Sequence, residues 1–302
     1  MNILDKIFHK KRKPEDIKLC MVILCKDEAD IIRKNIMFHH AMGVDGFIVT
    51  DNSSTDGTRK ILQELKDRGI IWEIIDEPNM NYAQSEWTNR MIKIAKHKYH
   101  ADWIIPCDAD EFWYAQSLNL KTDIWKNRKS NVLECIMRDY IPLQDRPDFI
   151  NGTYFIGRFL NKFEMEKYDI KSGEYAGRTP KVMFNIHGYR MISKGNHSVR
   201  MRHKRAATIE NIRLYHFNIR SFAHFEHKVV KGGETLRNNP DKNVGIHWRN
   251  WYENYYLNGK LREAYNAMFN FDKQKTLIEI GAIVNDTSVR DFMEKYCGEI
   301  DA

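Results

Sequence analysis

Apolar and polar positions fall in alternating blocks along the first hundred residues. IKLCMVILC, residues 17–25, is an apolar run of strand length, the pattern of a strand covered on both faces. Helical spacing follows: Ile31, Ile32, Ile36 and His39 or His40 recur every three or four residues until Gly43 stops the pattern. Gly46-Phe-Ile-Val-Thr predicts a second strand running into Asp51. Ser54-Thr55-Asp56 then offers N-cap chemistry to a helix that carries Ile61, Leu62 and Leu65 and closes at Gly69. Ile70 to Ile75 predicts a third strand, residues 83–99 a third helix, and Trp103 to Cys107 a fourth strand that runs into Asp108. Strand and helix alternating at this period imply right-handed parallel βαβ units, hence an α/β fold with a doubly wound, mostly parallel sheet. Such sheets bind ligands at the carboxyl ends of their strands. Three of the four predicted strands end there in polar clusters: Lys26-Asp27-Glu28, Asp51-Asn52-Ser53 and Asp108-Ala109-Asp110-Glu111.

Beyond residue 130 the segments lengthen and mix, with Val132 to Met137 and Lys181 to Ile186 as added strands. From Ser221 the text is aromatic and strand-poor, predicting helices that include Phe222 to Leu236 and Leu261 to Met268. This divides the chain into a basic tail (1–16), an α/β domain (17–220) and a helical C-terminal region packed on it (221–302). A hydrophobic share of 42% with few Pro and Gly excludes a disordered or linker class. The net charge of +7 suits nucleic acid, anionic lipid or a phosphorylated substrate alike. Lys10 to Lys13 follow the apolar set Ile3, Leu4, Ile7 and Phe8, a combination able to rest on an anionic membrane face, though a solvated tail has the same composition. Five irregularly spaced cysteines in largely apolar surroundings read as reduced core thiols. With no apolar stretch of signal-peptide or membrane-spanning length, they lead us to expect a cytoplasmic protein, peripheral at most on the inner face of the membrane.

Asp108-Ala109-Asp110 carries the most chemistry. Two carboxylates one residue apart at a strand end hold a hard divalent cation, Mn2+ or Mg2+, and leave positions open for diphosphate oxygens. About one such tripeptide is expected by chance in a chain of this size, so its place after WIIPC is what gives it weight. The stretch from Asp51 to Thr58 can hydrogen-bond a base or ribose edge, or simply form an Asx-rich turn. Lys26-Asp27-Glu28 also reads as an acidic helix start.

Taken in order, Lys26-Asp27-Glu28, Phe38-His39-His40 with Gly43-Val44-Asp45, Asp51 to Thr58, and Asp108-Ala109-Asp110-Glu111-Phe112 resemble the family 2-like glycosyltransferases. The resemblance is to the branch with a Lys-Asn-Glu start and an Asp-x-Asp-Glu-Phe motif, which is similar to family 92. It covers about residues 17–235, with Asp27 standing where the branch has Asn. It implies a GT-A fold and a nucleotide diphosphate sugar donor, UDP-linked by default. It also implies a glycan or glycolipid acceptor, as in bacterial-type surface polysaccharide or lipopolysaccharide assembly. Asp51 would contact the nucleotide, with Lys26, Glu28, Ser53, Asp108 and Lys181 completing the donor site. Asp108 and Asp110 would serve the metal. Lys181-Val-Met, Gly195-Asn-His197 and Tyr215-His216-Phe217 resemble the later motifs, which makes His216 a third metal or diphosphate ligand.

Enzymes of this kind are usually inverting, which requires a base near the acceptor hydroxyl. Glu111, Asp139 and His197 are the candidates. Arg158 and Arg178 are available to diphosphate or an acidic acceptor, and Trp113, Tyr114 and Tyr140 to a sugar face or the core. A sugar-phosphate nucleotidyltransferase shares the α/β plan, but needs a glycine-rich loop where this chain has Cys25-Lys-Asp-Glu. A nucleic-acid-binding module would share only the charge, and no such motif is visible, so nucleic acid is not expected as a partner.

Overall fold

The computed structural model describes residues 13–79, 83–143, 151–237 and 246–298. The apolar and basic positions proposed for membrane contact, apart from Lys13, lie outside them. Within the described residues the chain clusters into two compact units. One draws on the chain up to Met137, on Thr179–Leu214 and on the stretch from Asp291; the other on Arg138–Arg178 and Tyr215–Arg290.

In the first unit β1 (Leu19–Cys25), β2 (Gly46–Asp51), β3 (Ile71–Asp76) and β4 (Trp103–Asp108) alternate with helices α1 (Ile32–Ala41), α2 (Thr58–Asp67) and α3 (Gln84–His97). The short β5 (Glu111–Ala115) follows, then β6 (Val132–Cys135). After β7 (Met137–Asp139) and β8 (Tyr154–Ile156) come β9 (Lys181–Asn185), the paired β10 (Tyr189–Ile192) and β11 (Val199–Met201), and β12 (Ala206–Thr208). Seven of these make one sheet in the order β12-β6-β9-β4-β1-β2-β3. β9 alone runs against its neighbours, pairing antiparallel with β4 and β6, so the sheet is mostly parallel.

β1 shows why its sequence is apolar throughout. Cys20 and Val22 join Ile48, Ile104, Val182 and Phe184 with Met91 and Ile92 of α3 in one core. The alternate positions Leu19, Met21 and Ile23 are equally buried. Each such side chain removed from water contributes roughly 1.5–3 kcal/mol. All five cysteines are buried and unbridged.

Two local expectations change. The strand expected from Val132 to Met137 is interrupted at Ile136, whose side chain is exposed, and resumes as β7. Helix α2 begins after Gly57, which holds the left-handed φ of 100° that favours glycine, and neither Ser54 nor Thr55 caps it. Those side chains are engaged elsewhere.

The second unit has its own core, in which Ile141, Ile156, Ile219, Phe225, Tyr265 and Phe269 are buried together. β8 pairs antiparallel with β14 (Ile283–Asn285), and helices Phe222–Arg237 and Leu261–Phe269 supply much of the packing. Its aromatic density is thus a property of the core. Among the described residues no helix is long and apolar enough to cross a membrane.

Candidate active site

Register places the polar clusters of the first unit along one edge. Cys25 lies opposite Asp51, Asp51 opposite Asp76, and Leu24 opposite Asp108, so the carboxyl ends of four parallel strands finish together. Two loops lace across this edge. The backbone N–H groups of Asp27, Glu28 and Ala29 donate to Ser54 Oγ, Thr58 Oγ1 and Asp56 Oδ2, each at 2.9 Å, while Thr55 N–H donates back to Asp27 Oδ1. This is where the expected cap residues are used. Lys26 and Glu28 sit half-buried in the same loop, ahead of α1 rather than in its first turn.

Asp51 is buried, and its Oδ1 accepts from both the hydroxyl and the N–H of Ser54. Burial holds its carboxyl above the usual range, against the pull of those two bonds. Ser53, at φ 56°, donates from Oγ to the Glu77 carbonyl, and Asn52 Nδ2 donates to the carbonyls of Glu77 and Asn79. Glu77 is a residue the sequence reading missed: it is buried and ion-paired to Arg90 at 2.8 Å. Its signal in the sequence is the acidic pair Asp76-Glu77 directly after the predicted strand, and β3 runs one residue further than predicted, to Asp76.

The Asp108–Glu111 turn is held from behind by α1. Asn35, fully buried, donates to the carbonyls of Ala109 (3.0 Å) and Glu111 (2.7 Å). His39 lies one turn further on. Its Nδ1 donates to the Asn35 carbonyl and its Nε2 accepts from Trp113 N–H at 2.9 Å. Burial pushes His39 down to about 3, so the ring is neutral in this role. Because the folded pKa lies below the unfolded value of about 6.5, the unfolded chain takes up a proton that the folded chain refuses in this window. His39 therefore contributes full stability above about pH 6.5, and loses it as pH falls toward about 3. Urea unfolding should show a loss of about 2–3 kcal/mol from this residue between pH 7 and 4.5. His39→Gln should flatten that limb, and an unchanged pH slope would refute the assignment.

The front of the turn is occupied by Lys181, the first residue of β9. Its ammonium lies 2.8 Å from Asp108 Oδ2 and 2.7 Å from Glu111 Oε1, with 5% of the side chain exposed. Glu111 Oε2 accepts the Asp108 N–H at 3.1 Å. Burial opposes the lysine's charge, but Glu111 and Asp108 outweigh it and keep its pKa above normal. Gln84, opening α3, reaches Asp108 Oδ1 at 3.4 Å and accepts the Gly195 N–H at 3.1 Å. Gly195, at φ 75°, leaves room for the His197 ring: a Cβ there would sit 2.6 Å from its Cδ2. His197 Nδ1 donates to the Pro180 carbonyl, next to Lys181. Asn35 and Gln84 were likewise missed, as neither belongs to a motif.

Asp139 and His216 lie in the second unit, His216 at the end of β13 (Ile212–His216). Asp139 Oδ1 accepts from His216 Nδ1 at 2.7 Å and Oδ2 from Arg178 Nε, and Arg178 also pairs with Glu174. Burial would raise the Asp139 carboxyl, but His216 and Arg178 more than offset it and hold it below the usual carboxylate range. The carboxylate holds a proton on Nδ1 and fixes the orientation of the ring. Arg158 pairs with Glu164, and Trp113 and Tyr140 are core residues with 0% and 2% exposure, so of the three aromatics only Tyr114 retains a partly open face.

The donor set of the Asp108–Asp110 turn suits a hard divalent ion. Asp108 is part-exposed, with Oδ1 held, among the described residues, only by the long Gln84 contact, and Asp110 follows two residues later. Among the described residues no three His, Cys, Asp or Glu side chains form a metal-binding group. One or two protein carboxylates with the remaining oxygens from phosphate and water is how Mg2+ is commonly bound at such sites.

The chain is similar to a glycosyltransferase family 92 protein of Arabidopsis thaliana, 28% identical over 114 residues, which is 35% of this chain and 18% of that protein's length. Among solved structures it is similar to S. aureus TarS in complex with UDP-GlcNAc (TM-score 0.44, 12% identity, 86% of this chain and 75% of that one). It is also similar to the mannosyltransferase PcManGT from Pyrobaculum calidifontis in complex with GDP-Man and Mn2+ (TM-score 0.41, 16% identity, 83% and 73%). The sequence model of glycosyltransferase family 92 matches residues 15–276, most of the 302, and the chain belongs to that family.

Proposed function

We propose that this chain transfers a sugar from a nucleotide diphosphate donor, UDP-linked, to a hydroxyl of a glycan or glycolipid, with inversion and with Mn2+ or Mg2+. The observation that carries the reading is the Asp108–Asp110 turn at the end of β4, in register with the ends of β1 and β2. We assign Asp108 and Asp110 to the metal, and Asp51 with its Ser53 and Lys26–Glu28 surroundings to the nucleotide. A bound divalent ion would neutralise the leaving diphosphate. In the transfer the acceptor oxygen bonds to the anomeric carbon as the bond to the diphosphate oxygen breaks, and a base takes the hydroxyl proton.

Glu111, fully buried and ion-paired to Lys181, fits an orienting role better than that of a base. Asp139, held ionised between Arg178 and His216, likewise fits the orientation of His216. On the motif resemblance we assign His216 Nε2 to the metal or diphosphate, and retain His197 as the candidate base. The place of the reaction in surface polysaccharide or lipopolysaccharide assembly rests on the motif resemblance, and its place at the inner face of a membrane on the Lys10 to Lys13 run after the apolar Ile3, Leu4, Ile7 and Phe8.

A thermal-shift panel of nucleotide sugars with and without Mn2+ tests the proposal, since a ligand that binds the folded state raises its melting temperature by mass action. No shift with any nucleotide sugar would count against it. Asp51→Ala should weaken donor binding by roughly tenfold while changing turnover at saturation much less, because the residue is assigned to the nucleotide and not to the reacting bond. Calorimetry with UDP checks this, and an unchanged affinity removes Asp51 from the donor site.

A further inference from the structure

Lys181 reaches the Asp108 turn because β9 is antiparallel. Trp103 pairs with Asn185, which carries the first residue of β9 toward the last of β4. There the ammonium is enclosed at 5% exposure and contacts Asp108 Oδ2 and Glu111 Oε1 at once. Glu111 is fully buried and also accepts the Asp108 N–H, so it fixes both the lysine and the turn. Two of the ammonium's three N–H groups are taken by these carboxylates, so its charge is committed first to Asp108 and Glu111. Its effect on Asp108 follows from this geometry.

We infer that Lys181 is a tethered counter-cation of the Asp108–Asp110 turn, which retains one oxygen of Asp108 so that a divalent ion meets that carboxylate through Oδ1 alone. This rests on the glycosyltransferase reading for its purpose, but not for its geometry. A turn restricted in this way binds bare metal weakly, since a second oxygen of Asp108 is withheld and a positive charge stands beside it. The missing oxygens come from the diphosphate, so metal and nucleotide bind together, each improving the affinity of the other by the same factor. Lys181 is thus a positioning residue that makes the metal site dependent on the donor.

The experiment compares Mn2+ binding, read from the electron paramagnetic resonance signal of the free ion, with and without UDP. Lys181→Met alone would take the ammonium away from the buried Glu111 carboxylate and risks misfolding. The informative comparison is therefore Glu111→Gln against the double variant Lys181→Met/Glu111→Gln, with circular dichroism confirming both folds. Glu111→Gln keeps the lysine on Asp108 and should bind bare Mn2+ no more tightly than the wild type. The double variant releases Asp108 Oδ2 and should bind bare Mn2+ at least severalfold more tightly, while the gain from adding UDP shrinks. Equal or weaker bare-metal binding by the double variant than by Glu111→Gln overturns the inference. A wild-type chain that binds neither UDP nor any other nucleoside diphosphate, with or without Mn2+, overturns the glycosyltransferase reading instead, and the bare-metal comparison still decides the role of Lys181.

Discussion

Asp108→Asn and Asp110→Asn should each leave a folded chain whose glycosyl transfer is lower by roughly 10²–10³-fold, the scale of losing one preorganised electrostatic contact to the developing charge. Asp108 Oδ2 is taken by Lys181, and Oδ1, reached by Gln84 at 3.4 Å, is the oxygen assigned to the cation. An amide presents a neutral carbonyl in place of that charged oxygen, and binds a hard divalent ion far less well. The fold should tolerate the change, because Lys181 keeps Glu111 and Asn35 still holds the turn by its carbonyls. Product formation from a nucleotide sugar, measured beside urea unfolding, separates the two effects. Full activity in either variant would remove the metal from the mechanism. A variant that fails to fold would mean that the Lys181 pair is needed for stability.

The strands and helices of the first unit are legible because burial on both faces leaves a continuous apolar run, as in β1, and amphipathic spacing marks the helices between. The edge of the site is legible for the same reason: where an apolar run stops at Asp51 or Asp108, the strand stops too. What the sequence hides is pairing across distance. Ser54, Thr55 and Asp56 look like a local helix cap, yet all three bond the loop after β1, some 27 residues away, and only Asp56 also bonds the first residue of the helix, accepting from Thr58 N–H. Lys181 meets Asp108 across 73 positions because β9 reverses direction, and no periodicity reports that reversal. Asn35 lies within a helical pattern where a polar residue reads as solvent-facing; its side chain instead supports the turn that carries the motif. Resemblance supplies the roles proposed for Asp51, Asp108 and His216, and spacing alone does not separate His216 from the other eleven histidines.

Asp139→Asn should combine a large loss of activity with a loss of stability of about 3 kcal/mol, the low end for breaking a buried ion pair, because Arg178 retains Glu174. The functional loss follows from the tautomer. Asp139 accepts a proton-bearing Nδ1 from His216, which puts the ring's lone pair on Nε2, the atom assigned to the metal or diphosphate. An asparagine that keeps its carbonyl on Arg178 turns its NH2 toward Nδ1, and the ring proton moves to Nε2, where it blocks that role. His216→Ala should then cost about as much activity as Asp139→Asn, and the double variant little more than either, since both remove the same unit. The stability effect has its own pH signature. The folded pKa of Asp139 is depressed, so its contribution is present above the ordinary carboxylate range, near 3.9, and is lost as pH falls through the lower folded value. Asp139→Asn should therefore lose most stability at neutral pH and differ least from the wild type in strong acid. Additive activity losses in the double variant would show that Asp139 acts independently of His216, and would leave the histidine a packed structural residue.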